Sequence, residues 1–305
     1  MKVIFIHGIK NEENTKESIE RDWVEAIKQG LNKIGKNLPE SFTFEAAYYG
    51  KILADEAENW TLNQRADVQV MGSSNTITHT QNSSQTNASL YREFERHYNL
   101  NREQVTEALE GDTSDADVDE MARGIHKKWL KAIARALEKV VPTRGKYIAR
   151  FFLRQASAYL SKAGLKQKID DTVFDQVFKD VGGDSGLCVV SHSLGTIVAY
   201  TLLRQSTESI QAKALFTLGS PLGIEFVKQG LGIPRICLPN VEDWINIADK
   251  EDFVALKPEL NGNTFWCDQI ENHSFIDNGY EDAHSVEMYL NQEIFAKRFS
   301  ELLGL

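Results

Sequence analysis

Several features are scarce in this chain, and each scarcity narrows what the protein can be. Cysteine is rare, with only Cys188, Cys237 and Cys267 among 305 residues. Their wide spacing suggests neither a disulfide framework nor a zinc site. Positive charge is in deficit, at 34 Lys and Arg against 44 Asp and Glu, giving a net charge of −10. A general nucleic-acid binder needs a positive footprint, so no nucleic-acid partner is expected. Long apolar runs are missing too, since no stretch approaches the roughly 20 residues that span a bilayer. No signal peptide is expected before the fold, because "MKVIFIHG" reads as its first strand. The expected setting is therefore reducing and cytoplasmic.

What is present suits a soluble domain. Hydrophobic residues make up 42% of the chain and charged residues 26%, enough for a core and ordinary for a surface. The length fits one large domain with an insertion, or two domains. The most informative stretch is "GLCVVSHSLGTIVAYTLL", Gly186 to Leu203. Leu187 to Val190 has no polar member and is rich in β-branched residues, which reads as a central parallel strand. Thr196 to Leu203 carries apolar residues in helical register. The sharp turn between them would hold Ser193 at its apex, with Gly195 leaving room for a close strand–helix crossing. This is the nucleophile-elbow pattern G-x-S-x-G. Ser191 replaces its first glycine and satisfies the need for a small side chain there.

The chain falls into three stretches. In the first, Lys2 to Ile6 is a short buried-strand pattern that ends in His7-Gly8, where a missing Cβ permits an unusual turn. Glu17 to Ile34 has helical spacing, with Ile19, Trp23, Ile27, Leu31 and Ile34 on one face. Phe42 to Tyr49 reads as a second strand, completing a β-α-β opening. The second stretch, about 55 to 180, has almost no strand signal and begins with a polar loop-like segment. Its charges are sorted. Arg102 and Arg123 bracket eight acidic residues, whereas Arg123 to Lys168 holds thirteen Lys or Arg against Glu138 alone. Such runs read as solvated helix faces. Arg144 to Lys168 also interleaves cations with Tyr147, Phe151, Phe152 and Tyr159, which offers peripheral contact with an anionic membrane as a further expectation. The third stretch returns to strands at Ala214 to Leu218 and Trp244 to Ala248, with "NTFWCDQI" as a candidate last strand. A C-terminal helix is expected from about Val286.

The segments "VIFIHGI", "VVSHSLG", "TLGSPLG", "NIADKEDFVA" and "DAHSVEMYL", in that order, resemble the α/β-hydrolase superfamily. Within it they are most similar to the lipase and serine-esterase branch, which includes hydrolases like the glycosylphosphatidylinositol-inositol deacylases. The resemblance covers residues 1 to about 52 and 181 to 305. It implies an α/β fold, a mostly parallel α/β-hydrolase sheet with helices on both faces and a large helical insertion. Residues 1–54 and 181–305 would form the core, and 55–180 a mostly helical cap.

A serine hydroxyl is a poor nucleophile at neutral pH and needs a base, which needs an orienting acid. The family order of Ser, acid, His makes Ser193 the nucleophile and His284, just before a C-terminal helix, the base. His273 in "ENHSF" is the competing base. Asp252, followed by Phe253-Val254, resembles the acid loop of lipases, with Asp249 as the alternative acid. His192, locked in the elbow, supports the turn together with Gly195. The resemblance supplies oxyanion donors from the Leu194 N–H and from Ile9 or Gly8, giving His7-Gly8 a role beyond turning the chain. No cofactor or metal is implied. The reaction class is acyl transfer to water through an acyl-serine, with carboxylic esters, lipid or acyl esters foremost, as substrates. Thioesterases, amidases and acyltransferases share the elbow. The rival from another class is a catalytically retired hydrolase fold acting as a binding or membrane-associating module. Oligomeric state is left open.

Overall fold

The computed structural model describes residues 1–56, 92–93, 95–108, 136, 152, 154–181, 186–279 and 282–305. Six strands form one all-parallel sheet in the order β2-β1-β3-β4-β5-β6. They are β1 Lys2–Ile6, β2 Thr43–Ala47, β3 Leu187–His192, β4 Ala212–Leu218, β5 Val241–Asp249 and β6 Glu271–Ile276. Helices with both ends among the described residues include α1 Lys16–Lys33, α2 Arg102–Thr106, α3 Ala163–Val173, α4 Leu194–Gln205, α5 Glu225–Leu231, α6 Val286–Leu290 and α7 Glu293–Leu303.

The central strands read as unbroken apolar runs because both sheet faces are covered. Side chains alternate between two cores. Val3 and Phe5 of β1, with Cys188 and Val190 of β3, face Trp23 and Ile27 of α1 and Phe295 and Phe299 of α7. Ile4, Ile6, Leu187 and Val189 face the opposite way, toward Ile197 and Tyr200 of α4. Each such side chain contributes about 1.5–3 kcal/mol by leaving water. Thr15 caps α1 through a reciprocal box with Ser18, and α1 buries the stripe Ile19, Trp23, Ile27, Leu31. A Cβ on Gly30 would lie 2.7 Å from the Leu290 carbonyl, so only glycine lets α1 pack so closely on the end of α6.

Three sequence expectations need correction. The candidate last strand "NTFWCDQI" is a turn, and the sixth strand follows it. Asn261 accepts the amides of Asn263 and Thr264, Asp268 accepts that of Gly262, and Trp266 has φ +61°. This local turn chemistry competes successfully with the apolar pattern, and Phe265 still reaches the core against Tyr200 and Trp244. The cysteines are not all free either. Cys237 and Cys267 form a disulfide across 30 residues, because the fold brings the loop after α5 onto this turn. Cysteine usage therefore gives no argument for a reducing compartment. The C-terminal helix is also two helices, broken between Leu290 and Glu293.

The described residues between β2 and β3 contain no strand. Leu53, Leu100, Val105, Phe152, Ala156 and Tyr159 join the α4-side core. The Glu93 carboxylate accepts the Glu225 amide at the start of α5, at 2.9 and 3.0 Å from its two oxygens. α3 runs into a π-helical turn, Phe174–Phe178, where Gln176 accepts the Tyr48 amide and donates to its carbonyl. α3 packs on α4 and the π-helical turn packs on β2. Most of the expected insertion, including Arg144–Phe151, lies outside the described residues. Phe152 and Tyr159 of the basic segment are fully buried, and Lys162 pairs with Glu56 at 3.2 Å. Among the described residues no helix is long and apolar enough to cross a membrane.

Candidate active site

In a parallel sheet the loops leaving the carboxyl ends of the strands share one edge, where ligands bind. Here β1, β3, β4, β5 and β6 send His7-Gly8, Ser193, Gly219, Asp249–Asp252 and His284 to that edge.

Ser193 ends β3 and opens α4 with φ +56° and ψ −129°. A non-glycine residue held there costs on the order of 1–3 kcal/mol, so the surroundings must enforce it. They do so with backbone bonds: the Ser193 amide donates to Leu218 O at 3.0 Å, and Ser193 O accepts the Thr196 hydroxyl at 2.8 Å. Ser191 is buried and donates to Phe216 O at 2.8 Å, tying β3 to β4 beneath the turn. A Cβ on Gly195 would fall 2.2 Å from Ile6 O, which would drive α4 off the end of β1. One on Gly8 would fall 2.5 Å from Ser193 Cβ. These two absent side chains let β1 and the elbow touch.

His284 precedes the Ser285 cap of α6 and meets the serine from the far side. Its Nε2 lies 2.9 Å from Ser193 Oγ, and its Nδ1 lies 2.7 Å from Asp252 Oδ2. A carboxylate can only accept, so the proton belongs on Nδ1, which leaves Nε2 to accept from the hydroxyl. All three groups are buried. The second oxygen, Asp252 Oδ1, accepts the amides of Val254 at 2.8 Å and Ala255 at 3.4 Å. Asp252 Oδ2 takes a further donor, the Tyr289 hydroxyl, at 2.7 Å. Gly219, with φ +53°, completes the fit, since a Cβ there would lie 2.6 Å from Asp252 Oδ2.

Asp249 is as deeply buried as Asp252 but meets no imidazole. It accepts the Glu251 amide at 2.7 Å and the Asn278 amide at 2.5 Å, so it shapes the loop and the segment leading to His284. Burial pushes its carboxyl above the usual range, against the pull of those two amides. His273 lies on β6 with Nε2 at 2.7 Å from Glu271 Oε1, and the hydrogen-bonded set around Ser193 does not include it.

The turn after β1 is held by neutral groups. The Tyr49 amide donates to His7 Nε2 at 3.2 Å, which leaves Nδ1 to donate to Gly8 O at 2.7 Å. Tyr49 also stacks on the ring, and its hydroxyl donates to His7 O. Burial lowers the His7 pKa to about 4, although the bond to Gly8 pulls upward. Asn11 Nδ2 donates to Ile9 O at 2.9 Å and Gly8 O at 3.3 Å, and Lys10 sits at φ +58°. Neither the Ile9 nor the Leu194 amide has a hydrogen-bond partner among the described residues. His192 packs its ring 4.6 Å from that of His284, and burial lowers its pKa well below the usual value.

Sequence reasoning missed Tyr289, Gly219 and Asn11. Tyr289 was readable only as an apolar helix position, while "LGS" and "HGIKN" gave turn signals without partners. Among the described residues no cluster of His, Cys, Asp or Glu is disposed to hold a metal. Comparison with protein-family models, curated proteins and solved structures returned no match.

Proposed function

We propose that this protein is a serine hydrolase of the α/β-hydrolase type. More specifically, we read it as a carboxylic esterase acting on lipid or other acyl esters through an acyl-serine intermediate. The observation that carries this reading is the buried relay Ser193–His284–Asp252, with its serine held in a strained turn.

In this mechanism His284 Nε2 takes the Ser193 proton as Oγ attacks the ester carbonyl. Asp252 stabilises the imidazolium that forms and fixes its tautomer. The same imidazolium then protonates the departing alcohol, and water repeats the sequence to release the acid. Negative charge on the tetrahedral oxygen is met by the Leu194 and Ile9 amides, each such donor being worth about 3 kcal/mol. The neutral state of His7 suits a turn whose task is to present N–H groups, because the dipoles are arranged before any charge develops. Anionic-membrane contact forms no part of the proposal, since Phe152 and Tyr159, described parts of that basic segment, are buried.

The test is hydrolysis of p-nitrophenyl esters from acetyl to palmitoyl by wild type and Ser193→Ala. Turnover that rises with chain length and vanishes in the variant supports a lipid esterase. Equal rates in both proteins would overturn the mechanism, and no turnover in either would favour the retired-scaffold alternative.

A further inference from the structure

Asp252 Oδ2 is shared. It receives both His284 Nδ1–H and the Tyr289 hydroxyl, each at 2.7 Å. Two donors on one carboxylate oxygen divide its charge between them. The phenol cannot easily turn away, because its oxygen also accepts the Asp249 amide at 2.9 Å. The ring is fully buried in the core that α1 and α7 form with the sheet, and α6, which carries it, lies against Gly30 of α1. Tyr289 is thus fixed at both ends, by packing on its ring and by a backbone amide on its oxygen.

We propose that Tyr289 is a positioning residue, whose hydroxyl holds Asp252 toward His284 and moderates how strongly that carboxylate retains the imidazolium. This rests on the serine-hydrolase reading and deepens it. Without the phenol, Oδ2 would lose a donor and turn its full charge on His284. The imidazole would bind its proton more tightly, and the carboxylate would be freer to rotate on its remaining backbone donors. Burial raises the Tyr289 pKa far above the ordinary phenol range, so the group stays a donor across working pH. The titratable groups around this cluster are Asp252 and Asp249 from the β5 end, His192 from β3, and Tyr289 itself, with Asp277 acting on Asp249. His192 is kept neutral by burial, so it adds no charge that would mask the effect.

The test compares kcat/KM against pH for wild type, Tyr289→Phe and the protein carrying 3-fluorotyrosine at 289, on p-nitrophenyl butyrate. Fluorophosphonate titration counts competent sites in each. The expected result for Tyr289→Phe is about a tenfold loss of kcat with KM within twofold, and an acid limb shifted upward by roughly half a pH unit or more. Fluorotyrosine, a stronger donor, should move the acid limb downward. A purely structural role would lower the number of competent sites and leave both limbs in place, and that outcome overturns the proposal. Should the Phe variant fail to fold, the direction of the fluorotyrosine shift still decides. If wild-type Ser193 takes up no fluorophosphonate at any pH, the hydrolase reading itself fails. Labelling with unmoved limbs sinks only the role of Tyr289.

Discussion

The turn after β1 and the loop after β5 flank the same serine, yet they are built on opposite principles. Residues 7–11 are fixed by neutral donors and acceptors: a deprotonated-form imidazole, a carboxamide and a tyrosine hydroxyl. Residues 249–252 carry two buried carboxylates, each satisfied by backbone amides. Of these two loops, only the one on the imidazole side of Ser193 carries buried carboxylates. In the proposed reaction the imidazole becomes positive and the carbonyl oxygen negative, so each side meets the charge it would receive. A structure with charge on both sides would hold substrate and transition state less differently.

The comparison breaks most completely at its centre. Ser193→Ala and His284→Ala should each lower kcat by about 10⁴-fold or more while leaving the melting temperature near wild type. Within the charged loop, the two aspartates should separate. Asp252→Asn is expected to cost about 10³–10⁴-fold in kcat, because the amide cannot hold the same tautomer. Asp249→Asn should cost less than about tenfold, with its main effect a lower melting temperature, because a carboxamide offers one oxygen where the Asn278 and Glu251 amides each need an acceptor.

On the neutral side the effects should be smaller. Gly8→Ala forces the turn away from Ser193 and should lower kcat by about 10²-fold, since displacement of around 1 Å suffices for that. Asn11→Ala should cost about tenfold in kcat with little change in KM. The last effect is on stability and not on turnover. His7 titrates near 4 in the fold, against 6.5 for the free side chain, so the unfolded chain binds its proton first as pH falls. Its contribution, about 3 kcal/mol, is complete above pH 6.5 and is lost between 6.5 and 4. His192 acts in the same direction, whereas the raised carboxyls of Asp170 and Asp249 favour the fold as pH falls. Urea denaturation at pH 7 and pH 4.5, in wild type and His7→Gln, would isolate the His7 share.

How much of this was legible in the sequence differs between the same two regions. The strands were readable because apolar runs bounded by turns carry the sheet pattern themselves. The elbow was readable from the tight spacing of Ser193 and Gly195. Asp252 and His284 were singled out by family resemblance, the former through the Phe253-Val254 that follows it, rather than by any local physical signal, with Asp249 as the alternative acid. The neutral turn was the less legible of the two. Nothing in "HGIKN" says that Asn11 reaches back to two carbonyls, or that Tyr49, 42 residues on, fixes the His7 tautomer. Long-range side-chain-to-backbone bonds leave no periodic trace. The Cys237–Cys267 disulfide failed for the same reason: only the packed loops bring those thiols together.

The most direct measurement is site mapping of an active-site phosphonate. Wild-type protein incubated with a fluorophosphonate at pH 7.5, then digested and sequenced by mass spectrometry, should carry one adduct, on Ser193. His284→Ala should label at least about 10²-fold more slowly, given the loss of its general base. Prompt labelling at Ser193 in wild type, slowed in this way, is the expected result. No adduct at Ser193, or equal labelling rates with and without the imidazole, would contradict a serine nucleophile activated by His284.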